Sequence, residues 1–158
     1  SRGPGSFSGV RINAAVTQAL AWSNDIPVIP VSTLQALAQN AYREAGLTEV
    51  TAVLDARMSE VYIASFKLDE NNIMQAVDEE QLLSYEKAQN AVKYQLIGSG
   101  AGLVNEEQIQ YKGLSATAED IATIARELAK HEKWLDAELA LPVYLRDNAW
   151  KKIPEQGK

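Results

Sequence analysis

The residues best placed to do chemistry come first in the chain, in the run Ser1-Arg2-Gly3-Pro4-Gly5-Ser6-Phe7-Ser8-Gly9-Val10-Arg11, which leads into an apolar helix. Glycine allows positive φ and close backbone approach, and Pro4 fixes one φ while removing a donor, so the run reads as a stiff turn. Ser8 stands where a helix N-cap is expected, its hydroxyl able to satisfy an orphan N–H of the first turn. Backbone N–H groups at the positive end of a helix dipole can cradle a phosphate or carboxylate, which makes Gly3, Gly5, Ser6 and Gly9 the candidate anion or nucleotide contacts. The spacing fits neither common phosphate motif. Gly9 falls one residue too late for G-x-G-x-x-G, and no Gly-Lys-Ser/Thr follows. On spacing alone, a tight strand-to-helix turn is the favoured reading.

The remaining candidates for catalysis are sparse. Asp55 and Glu60 could act as a carboxylate pair, but Arg57 between them is better suited to an ion pair that fixes the loop. The single histidine, His131, sits among Lys130, Glu132 and Lys133 at a helix end, which argues for a surface residue and against a Ser-His-Asp triad or a two-histidine metal site. A second glycine run, Gly98 to Gly102, follows a strand as nucleotide turns do, yet precedes only a weak helix start. There is no cysteine, which removes disulfides, thiolate zinc sites and thiol nucleophiles. From these residues we expect no catalytic group and no metal ligand.

A net charge of −6 argues against a chain that binds nucleic acid unaided, because phosphate neutralisation needs clustered Lys and Arg. The basic cluster of Arg146, Lys151 and Lys152 around Trp150 reads as a solvated end. With 46% hydrophobic and 23% charged residues over 158 positions, the chain is globular, and no run is long enough to span a bilayer. No basic-then-apolar leader pattern opens the sequence, so a cytoplasmic location is expected, with no membrane partner.

The elements that must position these residues follow in order. Ser8 to Trp22 is helical, ended by Ser23-Asn24-Asp25 and Pro27. Its apolar residues cover more than one stripe, and Ala14, Ala15, Ala19 and Ala21 are small enough to let another helix approach. Ile26 to Val31 reads as a short strand weakened by Pro27 and Pro30. A second helix, Leu34 to Ala45, is capped by Ser32 or Thr33 and closed by Gly46. Strands are expected at Val50 to Leu54, Val61 to Leu68 and Ile73 to Val77. A helix follows at Tyr85 to Ala91, then a strand at Tyr94 to Ile97. The last helix begins after Thr117, with Thr117 and Asp120 as a capping box, and a final extended segment spans Leu139 to Leu145. The order after residue 48 is βββαβα.

Three stretches resemble one family. RGPGSFSGVRI is similar to the glycine-rich signature of the bacterial TsaB (YeaZ) family, with Ser8 where threonine is usual. Asp55-Ala56-Arg57-Met58-Ser59-Glu60-Val61-Tyr62 resembles its DARMGEVY, with Ser59 in place of glycine, and Pro142-Val143-Tyr144-Leu145-Arg146 with Ala149-Trp150-Lys151-Lys152 resembles its terminal segment. The resemblance implies an α/β actin-like, Hsp70-like ATPase (ASKHA) fold of two βββαβα lobes. On that reading the second lobe (48–146) is complete and the first (1–47) is represented only by its closing α-β-α. A loose tail occupies 147–158, and the chain is a form lacking an N-terminal part.

The resemblance also implies an accessory, non-catalytic subunit. It would bind a catalytic paralogue of the same fold in forming threonylcarbamoyladenosine next to the anticodon of ANN-decoding tRNAs, with the ATPase subunit of the pathway as a further partner. The tRNA would be held indirectly, the chain would form a homodimer when alone, and no cofactor would sit on it by itself, ATP or ADP entering only with the complex. The helix after the glycine-rich loop takes part in the family's interface, so Val10, Arg11, Ala14, Ala15, Gln18, Ala19 and Trp22 are the expected partner or dimer contacts. Two rivals are a glycoprotease-like metallopeptidase, for which two histidines on one helix are missing, and a small-molecule kinase of the same superfamily.

Overall fold

The computed structural model describes residues 1–146; the tail expected at 147–158, including Trp150, Lys151 and Lys152, lies outside the described residues. The first helix, α1, spans Phe7–Asn24. Its N-cap is Ser6 and not Ser8: Ser6 has extended backbone and its Oγ accepts from the Gly9 N–H at 3.2 Å, which leaves Ser8 inside the first turn. Asp25 closes the helix in the left-handed region at φ 52°.

The strand expected over Ile26 to Val31 does not form. Two prolines remove two of its donors, and what survives is an antiparallel bridge in which Val28 and Leu135 exchange backbone hydrogen bonds of 2.8 Å each, with the Val31 carbonyl at the far end accepting from the Arg2 N–H. Helix α2, Thr33–Ala45, follows, with the Ser32 hydroxyl accepting from the Gln35 N–H and Gly46 closing it at φ 67°.

The sheet is mixed. Strands β1 (Glu49–Arg57) and β2 (Glu60–Leu68) form a long antiparallel hairpin. The third strand expected at 73–77 is shorter, β3 at Met74–Ala76, and a further strand, β4 at Gln81–Ser84, was not foreseen. Both lie along the edge of β2 that faces away from β1, β3 opposite Phe66–Leu68 and β4 opposite Glu60–Ile63, so they act as one interrupted edge strand. The break is covered at Ser65: its carbonyl accepts from the Val77 N–H at 2.9 Å and its N–H donates to Asp78 Oδ1 at 2.6 Å. Helix α3 (Tyr85–Ala91) leads to β5 (Gln95–Ile97), which pairs parallel with β1 and completes the spatial order β3/β4-β2-β1-β5.

Period-two alternation assigns the two faces of the sheet. Val50, Ala52, Ala64, Phe66, Met74 and Ile97 pack beneath Leu34, Leu37, Ala38 and Ala41 of α2, so the main core crosses the boundary expected at 47/48. Val53, Val61, Ile63 and Leu96 face the other way, onto Ala88 of α3 and Ala101 and Val104 of the short α4 (Ala101–Val104). Helix α5 (Ala118–Lys130) starts with the expected capping box, Thr117 and Asp120 each bonding the other's backbone, and packs Ile124 against Val31 and Ala36. Beyond a 3-10 turn at Ala137–Leu139 the chain runs without a regular element to Arg146. No helix among the described residues is long and apolar enough to cross a membrane.

Candidate functional site

The three motif stretches, far apart in sequence, meet in one groove of about 350 Å³. One wall is the glycine-rich loop and the start of α1 (Gly5, Ser6, Phe7, Val10), the second is the β1–β2 turn (Asp55 to Met58), and the third is Val143 to Arg146. Backbone pairing sets the loop in place. Arg2 N–H donates to the Val31 carbonyl at 2.7 Å, the Gly3 carbonyl accepts from Thr33 at 2.9 Å, and the Arg2 carbonyl accepts from Val143 at 2.8 Å.

Of the loop glycines singled out, only Gly3 has positive φ, at 98°, and a Cβ there would also lie 3.2 Å from the Val143 carbonyl oxygen. Gly5 and Gly9 do not, so left-handed backbone is not what calls for glycine at these two positions. Gly9 is demanded by the cap instead, since a Cβ would stand 2.5 Å from Ser6 Oγ. Gly3 and Gly9 thus have structural duties, and the Gly9 N–H is spent on the cap.

A second anchor fixes the loop from outside the motif. Arg2 Nη1 lies 3.1 Å from Glu80 Oε2, and the other oxygen of Glu80 accepts from the Ser32 hydroxyl, tying the loop, the start of α2 and the edge-strand break together. Sequence reasoning passed over Glu80 because nothing in its neighbourhood signals an Arg partner 78 positions away.

Charges lining the groove are committed to neighbours. Arg57 pairs with Asp55 at 3.1 Å and its N–H donates to Asp55 Oδ1 at 2.8 Å, the loop-fixing pair expected from sequence. Glu60 pairs with Arg146 instead, at 2.6 Å, while Arg146 Nη2 donates to the Ala56 carbonyl at 3.3 Å. The guanidinium of Arg11 lies 3.8 Å from the Phe7 ring centroid, and its Nε donates to the Tyr144 hydroxyl at 3.1 Å. The turn itself is strained: Arg57, Met58 and Ser59 all have positive φ (62°, 55° and 60°), which side-chain-bearing residues seldom adopt. A two-residue hairpin turn needs left-handed backbone at both positions, so Ser59 stands where glycine would cost least.

Along α1, the expected partner contacts divide. Val10, Ala14 and Gln18 are half-buried, Val10 and Ala14 against the 28–30 and 140–142 segments and Gln18 through a hydrogen bond to the Glu138 carbonyl. Arg11, Ala15, Ala19 and Trp22 are exposed. The sequence reading missed the bulkiest members of that outer face, Ile12, Val16 and Leu20, which follow one another at intervals of four and are 64%, 53% and 60% exposed. Their apolar character was visible in the more-than-one-stripe pattern, but spacing alone does not say which stripe the rest of the chain covers. His131 is 65% exposed at the end of α5 with Nε2 3.6 Å from Glu127, and no cluster of metal-ligating residues occurs among the described residues.

Comparison with known proteins places this geometry. The family model for TsaD, tRNA N6-adenosine threonylcarbamoyltransferase, matches residues 1–133. Among curated proteins, the tRNA threonylcarbamoyladenosine biosynthesis protein TsaB of Escherichia coli is 40% identical, over 97% of this chain and 72% of its own length. The chain belongs to the TsaB family. The Haemophilus influenzae TsaB is 38% identical over 97% of this chain and 71% of its own. A solved structure described as YeaZ from Pseudomonas aeruginosa superposes with a TM-score of 0.82 at 39% identity, covering 91% of this chain and 72% of that one. A second Pseudomonas aeruginosa structure, of a protein with similarity to peptidase YEAZ, gives the same score and identity over 92% and 71%. The mixed sheet and its flanking helices are therefore those of TsaB-type proteins, within the broader fold of the threonylcarbamoyltransferase model.

Proposed function

We propose that this TsaB-family chain acts in the biosynthesis of threonylcarbamoyladenosine on tRNA as a non-catalytic subunit, and that its outer α1 face receives the catalytic paralogue. The observation that carries the reading is α1 itself. Ile12, Val16, Leu20 and Trp22 expose a continuous apolar face on a helix in which Ala21 alone is buried. Exposed patches of this kind mark interaction surfaces in soluble proteins. Ala15 and Ala19 lie among these residues and let a second helix come close. In the absence of the paralogue the same face supports a homodimer, and the ATPase subunit of the pathway joins the complex, bringing ATP or ADP with it.

Support for a non-catalytic role comes from the groove, where Asp55 is held by Arg57 and Glu60 by Arg146, so neither carboxylate stands ready as an acid or base. Ion pairs of this sort order a loop. The net charge of −6 supports tRNA contact through the partner. The peptidase alternative gains nothing from this geometry. The test is reconstitution of tRNA modification from the catalytic subunit, the ATPase subunit and this chain. The chain alone is expected to modify no tRNA, and its addition to raise the yield strongly. Yield independent of the chain, or metal-dependent peptide hydrolysis by the chain alone, would overturn the reading.

A further inference from the structure

Where α1 ends, its apolar face opens into a cavity of about 650 Å³. Trp22, 71% exposed, and Ile26, 55% exposed, form one wall, and the turn Asp136 to Glu138 forms the other. The Val28–Leu135 bridge holds the two walls opposite each other. Three exposed acids, Asp25, Asp136 and Glu138, are among the lining residues and form its acidic rim, no lining residue is a cation, and none of the three acids forms an ion pair among the described residues. The last carbonyls of α1 add the negative end of its dipole.

The cavity is continuous with the apolar stripe, because Trp22 lies one turn beyond Leu20's neighbour Ala19 on the same helix. At the opposite end of α1 the groove's acids are matched, Asp55 by Arg57 and Glu60 by Arg146, so the acids without a cation beside them lie at the cavity end of the helix. An indole face attracts a cation, and carboxylates at the rim accept the N–H groups of a guanidinium or ammonium. We propose that the protein partner seated on α1 inserts an arginine or lysine side chain into this cavity, so that the apolar stripe supplies the contact area and the cavity fixes register and direction. This rests on the reading of α1 as the partner face and names the chemistry the partner must present there.

The probe is the catalytic threonylcarbamoyltransferase subunit, titrated calorimetrically at low and high salt into the wild-type chain and two variants. One variant neutralises the rim (Asp25→Asn, Asp136→Asn and Glu138→Gln together), three exposed acids whose carboxylates form no ion pair among the described residues and whose backbone contacts the substitutions keep. The other, Val16→Asp, breaks the apolar stripe. Rim neutralisation is expected to weaken binding roughly tenfold at low salt and to flatten its salt dependence, and Val16→Asp to abolish binding. If the rim variant keeps wild-type affinity and salt dependence while Val16→Asp fails to bind, the cavity proposal is overturned and the α1 reading stands. A weakened rim variant beside an unaffected Val16→Asp would instead keep the cavity and overturn α1 as the main face. No association of the wild-type chain overturns both.

Discussion

Of the 18 residues of α1 only Ala21 is buried, whereas seven of the 13 residues of α2 are, Leu34, Leu37, Ala38 and Ala41 among them. Both helices carry four alanines, and α1 is the more apolar of the two. What separates them is angular distribution. In α2 the apolar residues fall on one side and meet a sheet that presents Val50, Ala52, Phe66 and Met74 to them. In α1 they are spread around the cylinder, and the chain itself covers only part of it, through the 140–142 segment and the turn at Ala137–Leu139. Apolar content therefore predicts burial poorly; a helix hydrophobic all round is asking for more than one neighbour. α2 builds the molecule, and α1 is left with surface for another.

The sharpest way to break this contrast is paired truncation. Leu37→Ala removes a fully buried side chain beneath the sheet and is expected to cost about 2–5 kcal/mol, while Leu20→Ala on the outer face of α1 should stay within about 0.5 kcal/mol of wild type in urea denaturation. Equal losses would mean that α1 is packed as firmly as α2.

Next in size is the polar seam that joins α2 to α5. Burial pushes the Asp120 carboxyl up, but hydrogen bonds from Arg43, Thr117 and Asn40 outweigh it and hold the group below the usual aspartate range. Because the folded value is depressed, this stabilisation is complete above the unfolded value near pH 4 and is lost as pH falls through the folded one. Asp120→Ala leaves Asn40 and Arg43 without their acceptor and should cost about 2–3 kcal/mol at neutral pH. The loss should shrink towards acid in pH-dependent denaturation; a loss independent of pH would show that the carboxylate charge is not what the seam uses.

Gly98 supplies a third test, on the β5 side of the same core. Its φ of 88° and the 2.5 Å that a Cβ would leave to Leu37 Cδ2 make Gly98→Ala costly, by about 2 kcal/mol or more. Gly9→Ala at the start of α1 displaces only the Ser6 hydroxyl and should cost about 1 kcal/mol. Thermal melts compare the two, and a reversed order would contradict the division between core and docking helix.

How much of this could be read in the sequence depended on whether a signal was local. Ser32, Gly46 and the Thr117–Asp120 box were legible because a cap is written within four residues. The Tyr85–Ala91 helix and the β1–β2 hairpin were legible from periodicity. The Ile26 to Val31 strand, expected to be short and weakened by its prolines, is weaker still: the β-branched run keeps one bridge, Val28 to Leu135, because Pro27 and Pro30 leave no continuous ladder. The division of the third strand was hidden because Asp78, the residue that covers the break, bonds to Ser65 on a neighbouring strand. The candidate groove was visible as three motifs but not as a place. Its ion pairs span up to 86 positions, as Glu60 to Arg146 does, and spacing is silent at that range.

The smallest expected effect sharpens the comparison at the groove. Ser59→Gly relieves left-handed backbone in the hairpin tip and should raise stability by about 1 kcal/mol without altering partner affinity. Equilibrium denaturation and calorimetry together check it; weaker binding of the stabilised variant would bring the tip into the interface.

Amide hydrogen exchange, recorded for the chain alone and with the catalytic subunit added, tests the central claim most directly. The account predicts that α2 is slow to exchange in both states while α1 gains protection on binding. Protection gained at the 57–59 turn, with α1 unchanged, would contradict it.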